Sequence, residues 1–299
     1  MIQLKNKKGD IIPPIGLGTF PFEGRVMADM VKAAVRVGYR LFDTADDYRG
    51  EPGIGIAVKE LIESGEFKRE DLFLQTKISD NNAHEKEPLK GIFFNPNSKF
   101  MKRHTVEEIV REKVETSLRC MNTDYLDSLL IHYPFPDYIV DIWKVMIKLK
   151  EEGIVRYIGV SNFQERHIEK LIAETGVCPE INECYASPIG IKQTLVDYCN
   201  KHNCLFMTYS PLMDITIKRL PIDKINHIAL KYSKSIAQIV LRWNIERGCF
   251  PLPKTKNSKR LLENFNLFDF ELEKSEIDII SSLNYDAQIL VESKICPGL

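Results

Sequence analysis

The sequence predicts an α/β fold, a (β/α)8 TIM barrel with an N-terminal β-hairpin and a long loop after strand 3. Three observations predict it. Short β-rich runs alternate with amphipathic helical runs along most of the chain, the pattern of parallel βαβ units. Eight strand candidates can be traced, the number that closes such a barrel. The chain has 299 residues. A rule of about 150 residues per domain suggests two domains, but an α/β barrel commonly takes about 250 residues as one.

The elements follow in order. Ile2-Gln3-Leu4 and Ile11-Ile12 flank Lys8-Gly9-Asp10, and this alternation across a turn dipeptide predicts a hairpin over 1–14. Ile15-Gly16-Leu17-Gly18 is the first barrel strand. The helical pattern at 30–38 leads to Leu41-Phe42-Asp43, and the one at 55–63 to Leu72-Phe73-Leu74-Gln75-Thr76-Lys77. The long pattern at 106–121 precedes a strand at 125–132, and 139–152 precedes 155–160. Further on, 164–174 precedes Glu180-Ile181-Asn182, 191–202 precedes 205–209, and 236–247 precedes 249–253. No linker, charge block or composition shift interrupts the series, so a single domain over 1–299 is expected, with a short tail at 285–299. The segment 78–104 is too long for an ordinary connection and carries two prolines and four asparagines. Long loops of this kind are commonly functional, so it is read as facing the substrate.

Composition removes several function classes. Lys plus Arg total 41 against 42 for Asp plus Glu, a net charge of −1, which argues against nucleic acid or an anionic membrane as partner. No apolar run approaches the ~20 residues of a membrane span. The 7 cysteines form no C-x-x-C pair, and several sit in apolar segments, as in a chain kept in the reducing cytoplasm. No H-x-x-x-H, G-x-S-x-G or Walker motif occurs, so no metal is expected and hydrolase and phosphoryl-transfer readings lack support. His84, His104, His167, His202 and His227 read as surface or helix residues, and Trp143 and Trp243 as packing residues.

Barrel chemistry collects at the C-terminal ends of the strands. There the sequence places Asp43 with Tyr48, Lys77, His132 with Tyr133, Ser161-Asn162, Asn182-Glu183, Tyr209-Ser210 and Lys254-Thr255. Asp43, Lys77 and His132 each close an apolar run, where a charge must be paired or face the mouth. An Asp43–Lys77 ion pair is natural if their strands are neighbours. A nearby ammonium lowers a phenol's pKa and lets Tyr48 serve as a general acid, while His132 donates a hydrogen bond to a carbonyl oxygen. From spacing alone, a structural salt bridge with a bystander Tyr and His explains these residues equally well.

The segment Gly38-Tyr39-Arg40-Leu41-Phe42-Asp43-Thr44-Ala45-Asp46-Asp47-Tyr48 resembles the first signature of the aldo-keto reductases. Leu130-Ile131-His132-Tyr133-Pro134, Ile158-Gly159-Val160-Ser161-Asn162-Phe163 and Tyr209-Ser210-Pro211-Leu212 resemble their later strands. Pro253-Lys254-Thr255 with Arg260, Glu263 and Asn264 resembles their cofactor-clamping motif. The resemblance runs in order from residue 15 to about 264. It implies reduction of an aldehyde or ketone with NADPH, Tyr48 as proton donor, Lys77 and Asp43 as its tuners, and His132 as substrate orienter. It implies that Thr19 and Phe20 line the cleft, Ser161 and Asn162 hold the nicotinamide carboxamide, and Tyr209 stacks on the ring. Ser210, Pro211 and Leu212 follow on the cofactor. Lys254, Thr255 and Arg260 would meet a 2′-phosphate, which favours NADPH over NADH, and Glu263 and Asn264 the adenine. Phe20, Phe22, Tyr48, His132 and Tyr133 would form the substrate pocket, suited to an apolar or aromatic carbonyl, with Phe93 and Phe94 as further candidates or loop anchors. A monomer or weak homo-oligomer is expected.

Three departures stand out. The resemblance implies that Asp43 and Glu183 also contact the cofactor, but Glu183 replaces the family's usual Gln, and an ionised carboxylate can accept from the carboxamide NH2 and cannot donate. Ile78-Ser79 follows Lys77 where an aromatic residue is common, and Glu51 is displaced by one position. The alternative function is a cofactor-binding regulatory or interaction barrel with little turnover. Gly16-Leu17-Gly18 begins like a Rossmann fingerprint, but Pro21 stands at its third glycine.

Overall fold

Ten strands and eleven helices alternate in the computed structural model, which describes residues 4–5, 11–79, 104–134 and 138–288. Strands β1 (Leu4–Lys5) and β2 (Ile11–Ile12) pair antiparallel, forming the expected N-terminal hairpin. The barrel strands are β3 (Gly16–Gly18), β4 (Leu41–Asp43), β5 (Phe73–Ile78), β6 (Leu126–Ile131), β7 (Val155–Ser161), β8 (Ile181–Tyr185), β9 (Leu205–Tyr209) and β10 (Cys249–Leu252). All pair parallel in chain order. The Gly18 N–H donates to the Pro253 carbonyl at 3.1 Å, bringing the two edges together. The (β/α)8 expectation is met.

The helices are α1 (Gly24–Val37), α2 (Glu51–Glu63), α3 (Val106–Met121), α4 (Ile139–Glu151), α5 (Glu165–Thr175), α6 (Gln193–Lys201), α7 (Met213–Thr216), α8 (Asp223–Tyr232), α9 (Ile236–Glu246), α10 (Ser258–Phe265) and α11 (Lys274–Ser281). Both α1 and α2 begin earlier than the sequence pattern suggests. In α2, Pro52 occupies the first turn, where its missing N–H costs nothing, and Glu51 complements the positive helix end. Helix α3 starts at a capping box: Thr105 Oγ1 accepts from the Glu108 N–H at 3.2 Å, and Glu108 Oε2 accepts from the Thr105 N–H at 2.7 Å. Trp143 and Trp243 are fully buried packing residues, as expected, and their indole N–H groups bond Val177 O and Ser281 Oγ.

Two apolar layers result. One lies between the outer strand faces and the helices, and includes Met27, Val31, Phe42, Ile54, Leu74 and Trp143. The other fills the lumen with Leu41, Phe73, Leu130, Ile181, Met207, Phe250 and Leu252. Gly159 leaves space there, since a Cβ would lie 2.5 Å from Ile181 O and 2.6 Å from Leu130 Cδ2. A polar storey sits directly above the apolar lumen. Side chains two apart on a strand share a face. So Leu41 is followed inward by Asp43, Phe73 by Gln75 and Lys77, Leu130 by His132, Ile181 by Glu183 and Met207 by Tyr209. Most of the 78–104 loop, with Phe93 and Phe94, lies outside the described residues, as does most of the 285–299 tail.

Candidate active site

Neighbouring strands put Asp43 beside Gln75 in register, and Lys77 lies two residues further along. The Lys77 ammonium donates to Asp43 Oδ1 at 2.5 Å and to the Thr44 carbonyl at 3.0 Å. The expected ion pair is therefore present, and both side chains are buried. A third charged group joins them. Glu183 Oε1 lies 3.3 Å from Lys77 Nζ. Gln75 Nε2 bridges the two carboxylates, donating to Asp43 Oδ1 at 2.9 Å and to Glu183 Oε2 at 2.8 Å. Gln75 Oε1 has no partner among the described residues. Asp43 and Glu183 come from opposite sides of the barrel and meet across its lumen.

Tyr48 sits over this cluster, with Lys77 Nζ 5.3 Å from its ring centroid. Its hydroxyl lies 3.2 Å from His132 Nε2. The other ring nitrogen of His132, Nδ1, is 2.6 Å from Ser79 Oγ and 3.5 Å from Asp47 Oδ1. Sequence reasoning missed Gln75 and Ser79, although a signal existed: each is two residues from Lys77 and so shares its face. Asp46 holds the outgoing strand end, accepting from the Ser79 N–H at 3.1 Å and from Lys113 at 2.8 Å. The displaced Glu51 is buried on the outer side of β5, where it accepts from Thr76 Oγ1 at 2.7 Å.

Burial sets the electrostatics. It pushes the Tyr48 phenol above its ordinary value; Lys77 pulls it down, and Asp43, Glu183 and Asp47 push it up again. Lys77 thus acts in the expected direction, but desolvation outweighs it. For Lys77 itself burial opposes the charge, yet Asp43 and Glu183 together hold the ammonium above its usual range. Burial pulls His132 down against the pull of Asp47, so its imidazole is neutral at neutral pH. Burial raises Glu183 to about 8, with Asp43 adding to the rise and Lys77 opposing it.

The remaining site candidates fall around this core. Thr19 Oγ1 donates to the Asp43 carbonyl at 2.8 Å. Phe20 lies exposed at the mouth, its ring 5.0 Å from that of Tyr48, and Tyr133 stacks on His132 at 4.4 Å. Phe22 is half-buried, with Lys256 Nζ 6.0 Å from its ring centroid. Ser161 Oγ donates to the Glu183 carbonyl at 2.9 Å, and Asn162 Nδ2 to the His132 carbonyl at 3.0 Å. The Tyr209 hydroxyl donates to Asn162 Oδ1 at 2.8 Å. Ser210, with a φ of 54°, Pro211 and Leu212 carry the chain from β9 into α7. Ser161 Oγ and the Asn162 N–H both donate to the Glu183 backbone carbonyl, while the Glu183 carboxyl meets Lys77 and Gln75.

A second polar group lies beyond β10. Lys254 and Arg260 are exposed and form no ion pair among the described residues. Thr255 Oγ1 accepts from the Asn257 N–H, and Asn257 caps α10 by accepting from the Lys259 and Arg260 N–H groups. Uncommitted cations and a hydroxyl at a helix N-terminus suit a phosphate. Glu263 accepts from Ser235 Oγ at 2.5 Å, and Asn264 is buried.

Comparison with known proteins agrees with the barrel fold. Residues 14–285 match the family model for the aldo/keto reductase family. The chain is 35% identical over 287 residues to a glyoxal reductase of Bacillus subtilis, covering 96% of this chain and 94% of that protein. It superposes on an aldo/keto reductase from Brucella melitensis with a TM-score of 0.80 and 35% identity, over 94% of this chain and 99% of that one. It also superposes on a Bombyx mori aldo-keto reductase in complex with NADP, with a TM-score of 0.82 and 29% identity, over 98% and 96%. With the strand order and the length of the match in accord, the chain belongs to the aldo/keto reductase family and is an oxidoreductase.

Proposed function

We propose that this enzyme reduces an aldehyde or ketone to an alcohol with NADPH, and that Tyr48 donates the proton. The observation that carries the reading is the Tyr48 hydroxyl at the barrel mouth, 3.2 Å from His132 Nε2 and above the buried Lys77–Asp43 pair. The donor set fits the cofactor: Lys254, Thr255 and Arg260 would hold a 2′-phosphate, Glu263 and Asn264 the adenine end, and Ser161, Asn162 and Tyr209 the nicotinamide end. When bound, NADPH supplies the hydride. Tyr48 gives its proton to the carbonyl oxygen. Its raised pKa keeps that proton in place at neutral pH, and the Lys77 ammonium steadies the phenolate left behind. Neutral His132, held through Nδ1 by Ser79, directs Nε2 toward the same oxygen.

Phe20, Tyr48 and Tyr133 give the mouth an aromatic frame that suits an apolar or aromatic carbonyl. The similar protein from Bacillus subtilis is a glyoxal reductase, so small dicarbonyls belong in the same panel. The test is NADPH consumption against carbonyls ranging from glyoxal to aromatic aldehydes, with NADH as control. Tyr48→Phe should lose about 10²–10⁴-fold in kcat/KM, the worth of general acid catalysis. Undiminished turnover in that variant would remove Tyr48 from the mechanism. NADPH binding without turnover of any carbonyl would favour the regulatory barrel instead.

A further inference from the structure

Beneath Tyr48 lie two carboxylates and one ammonium. Asp43 and Glu183 both reach Lys77 Nζ, at 2.5 and 3.3 Å, and both accept from the single nitrogen Gln75 Nε2. All four side chains are buried, so water does not neutralise the excess. With both carboxylates ionised the cluster carries a net charge of −1; with one proton bound it is neutral. Low dielectric favours the neutral state.

We propose that Glu183 is a positioning residue for the reaction, a second carboxylate that shares Lys77 with Asp43 and sets the pH at which Tyr48 gives up its proton. The inference rests on the reading of Tyr48 as proton donor. The groups that face the cluster are Asp43 from β4, Asp47 and Tyr48 from the segment after it, and Lys77 from β5. His132 and Tyr133 follow β6, and Tyr209 ends β9. Lys77 is the cation among them at neutral pH, because His132 is neutral.

As pH rises, Glu183 gives up its proton at about 8. Its loss adds a negative charge near the phenol, so Tyr48 holds its own proton more tightly. The acid for carbonyl reduction then survives to higher pH, and the phenolate needed for alcohol oxidation forms later. With Gln at this position, Lys77 answers to Asp43 alone and Tyr48 ionises earlier. Glu183 thereby biases the enzyme toward reduction in alkaline solution.

The experiment is the pH profile of kcat/KM in both directions for wild type, Glu183→Gln and Tyr48→Phe, on the full chain with NADPH or NADP. In Glu183→Gln the alkaline limb of reduction and the acid limb of oxidation should both move at least about one unit toward lower pH, the size of effect a nearby like charge exerts. Tyr48→Phe should be effectively inactive throughout, about 10²–10⁴-fold below wild type. A wild-type minus Glu183→Gln infrared difference spectrum should show a protonated-carboxyl C=O band that disappears as pH passes about 8. Thermal unfolding confirms that the isosteric variant folds. If Tyr48→Phe is inactive but the Glu183→Gln limbs superpose on wild type, the role of Glu183 is overturned and that of Tyr48 stands. If Tyr48→Phe keeps wild-type turnover, both fall.

Discussion

The residues that matter most here are charges held where water cannot reach them. Asp46 is a second example. Burial raises its carboxyl from an ordinary 3.8 to about 7, even with Lys113 opposing the rise. The folded state therefore binds this proton more tightly than the unfolded state does. Stability from this source is fully present below the unfolded value and is lost as pH rises through the folded one, between about 4 and about 7. Asp46→Asn cannot titrate. Urea unfolding at pH 5 and pH 8 should show wild type losing stability across the interval and the variant losing distinctly less. Parallel loss in both proteins would mean that Asp46 titrates alike folded and unfolded. Much at this scale was legible. Asp43, Lys77, Tyr48 and His132 were readable because each polar residue closes or follows an apolar run, and because their motifs are distinctive. For Gln75 and Ser79 the spacing from Lys77 gives the face, but nothing in a strand's own sequence says which polar side chains of its neighbours they will meet.

Elements show local preference and tertiary packing pulling apart. Gly55 lies inside α2, where replacing glycine by alanine normally gains about 1 kcal/mol of helix propensity. In this fold an alanine Cβ would sit 2.0 Å from the Cys120 carbonyl oxygen of α3. Rigid backbone cannot yield as a side-chain tip does. Gly55→Ala should therefore destabilise the protein by about 1–3 kcal/mol, the range for overpacking, as measured by chemical denaturation. A stabilised variant would mean that α2 and α3 are further apart. The same conflict explains which helices the sequence concealed. Helices α8, α10 and α11 span 10, 8 and 8 residues, too short to be stable alone. They are held by packing: Ile225 and Ile228 of α8 and Ile280 of α11 join Trp243 in one apolar cluster, and Leu261 of α10 is buried in the layer behind the strands. The early start of α2 was hidden by Pro52, which reads as a breaker unless it is known to lie in the first turn.

Across the whole molecule, the two ends of the barrel divide the work. At the end opposite the site, buried Asp127 at the start of β6 ties neighbouring strands together. It accepts from Arg69 at 2.8 Å, the Leu74 N–H at 3.0 Å and Arg156 at 3.0 Å. This end of an α/β barrel serves stability. Asp127→Ala would leave Arg69 without its carboxylate and should cost about 3–5 kcal/mol, the range for breaking a buried pair. The pH profile of kcat/KM should stay in place. A shift in that profile, with stability intact, would show that the ends are coupled.

The sequence by itself determined the alternation of strand and helix, the eight-strand count, the N-terminal hairpin and the family signatures around Asp43, His132, Ser161, Tyr209 and Lys254. These are local properties, written in periodicity and in motifs a few residues long. It also flagged Glu183 as unusual, but only against a cofactor group. The tertiary structure decided what Glu183 touches. Closing the barrel brings β4, β5 and β8 to one height, so that residues 140 positions apart in the chain share a single ammonium and a single amide nitrogen. Hydrophobic patterning specifies which face of each strand points inward. Which inward charges then meet, and which of them must hold a proton, depends on closure and on the loss of water that closure brings.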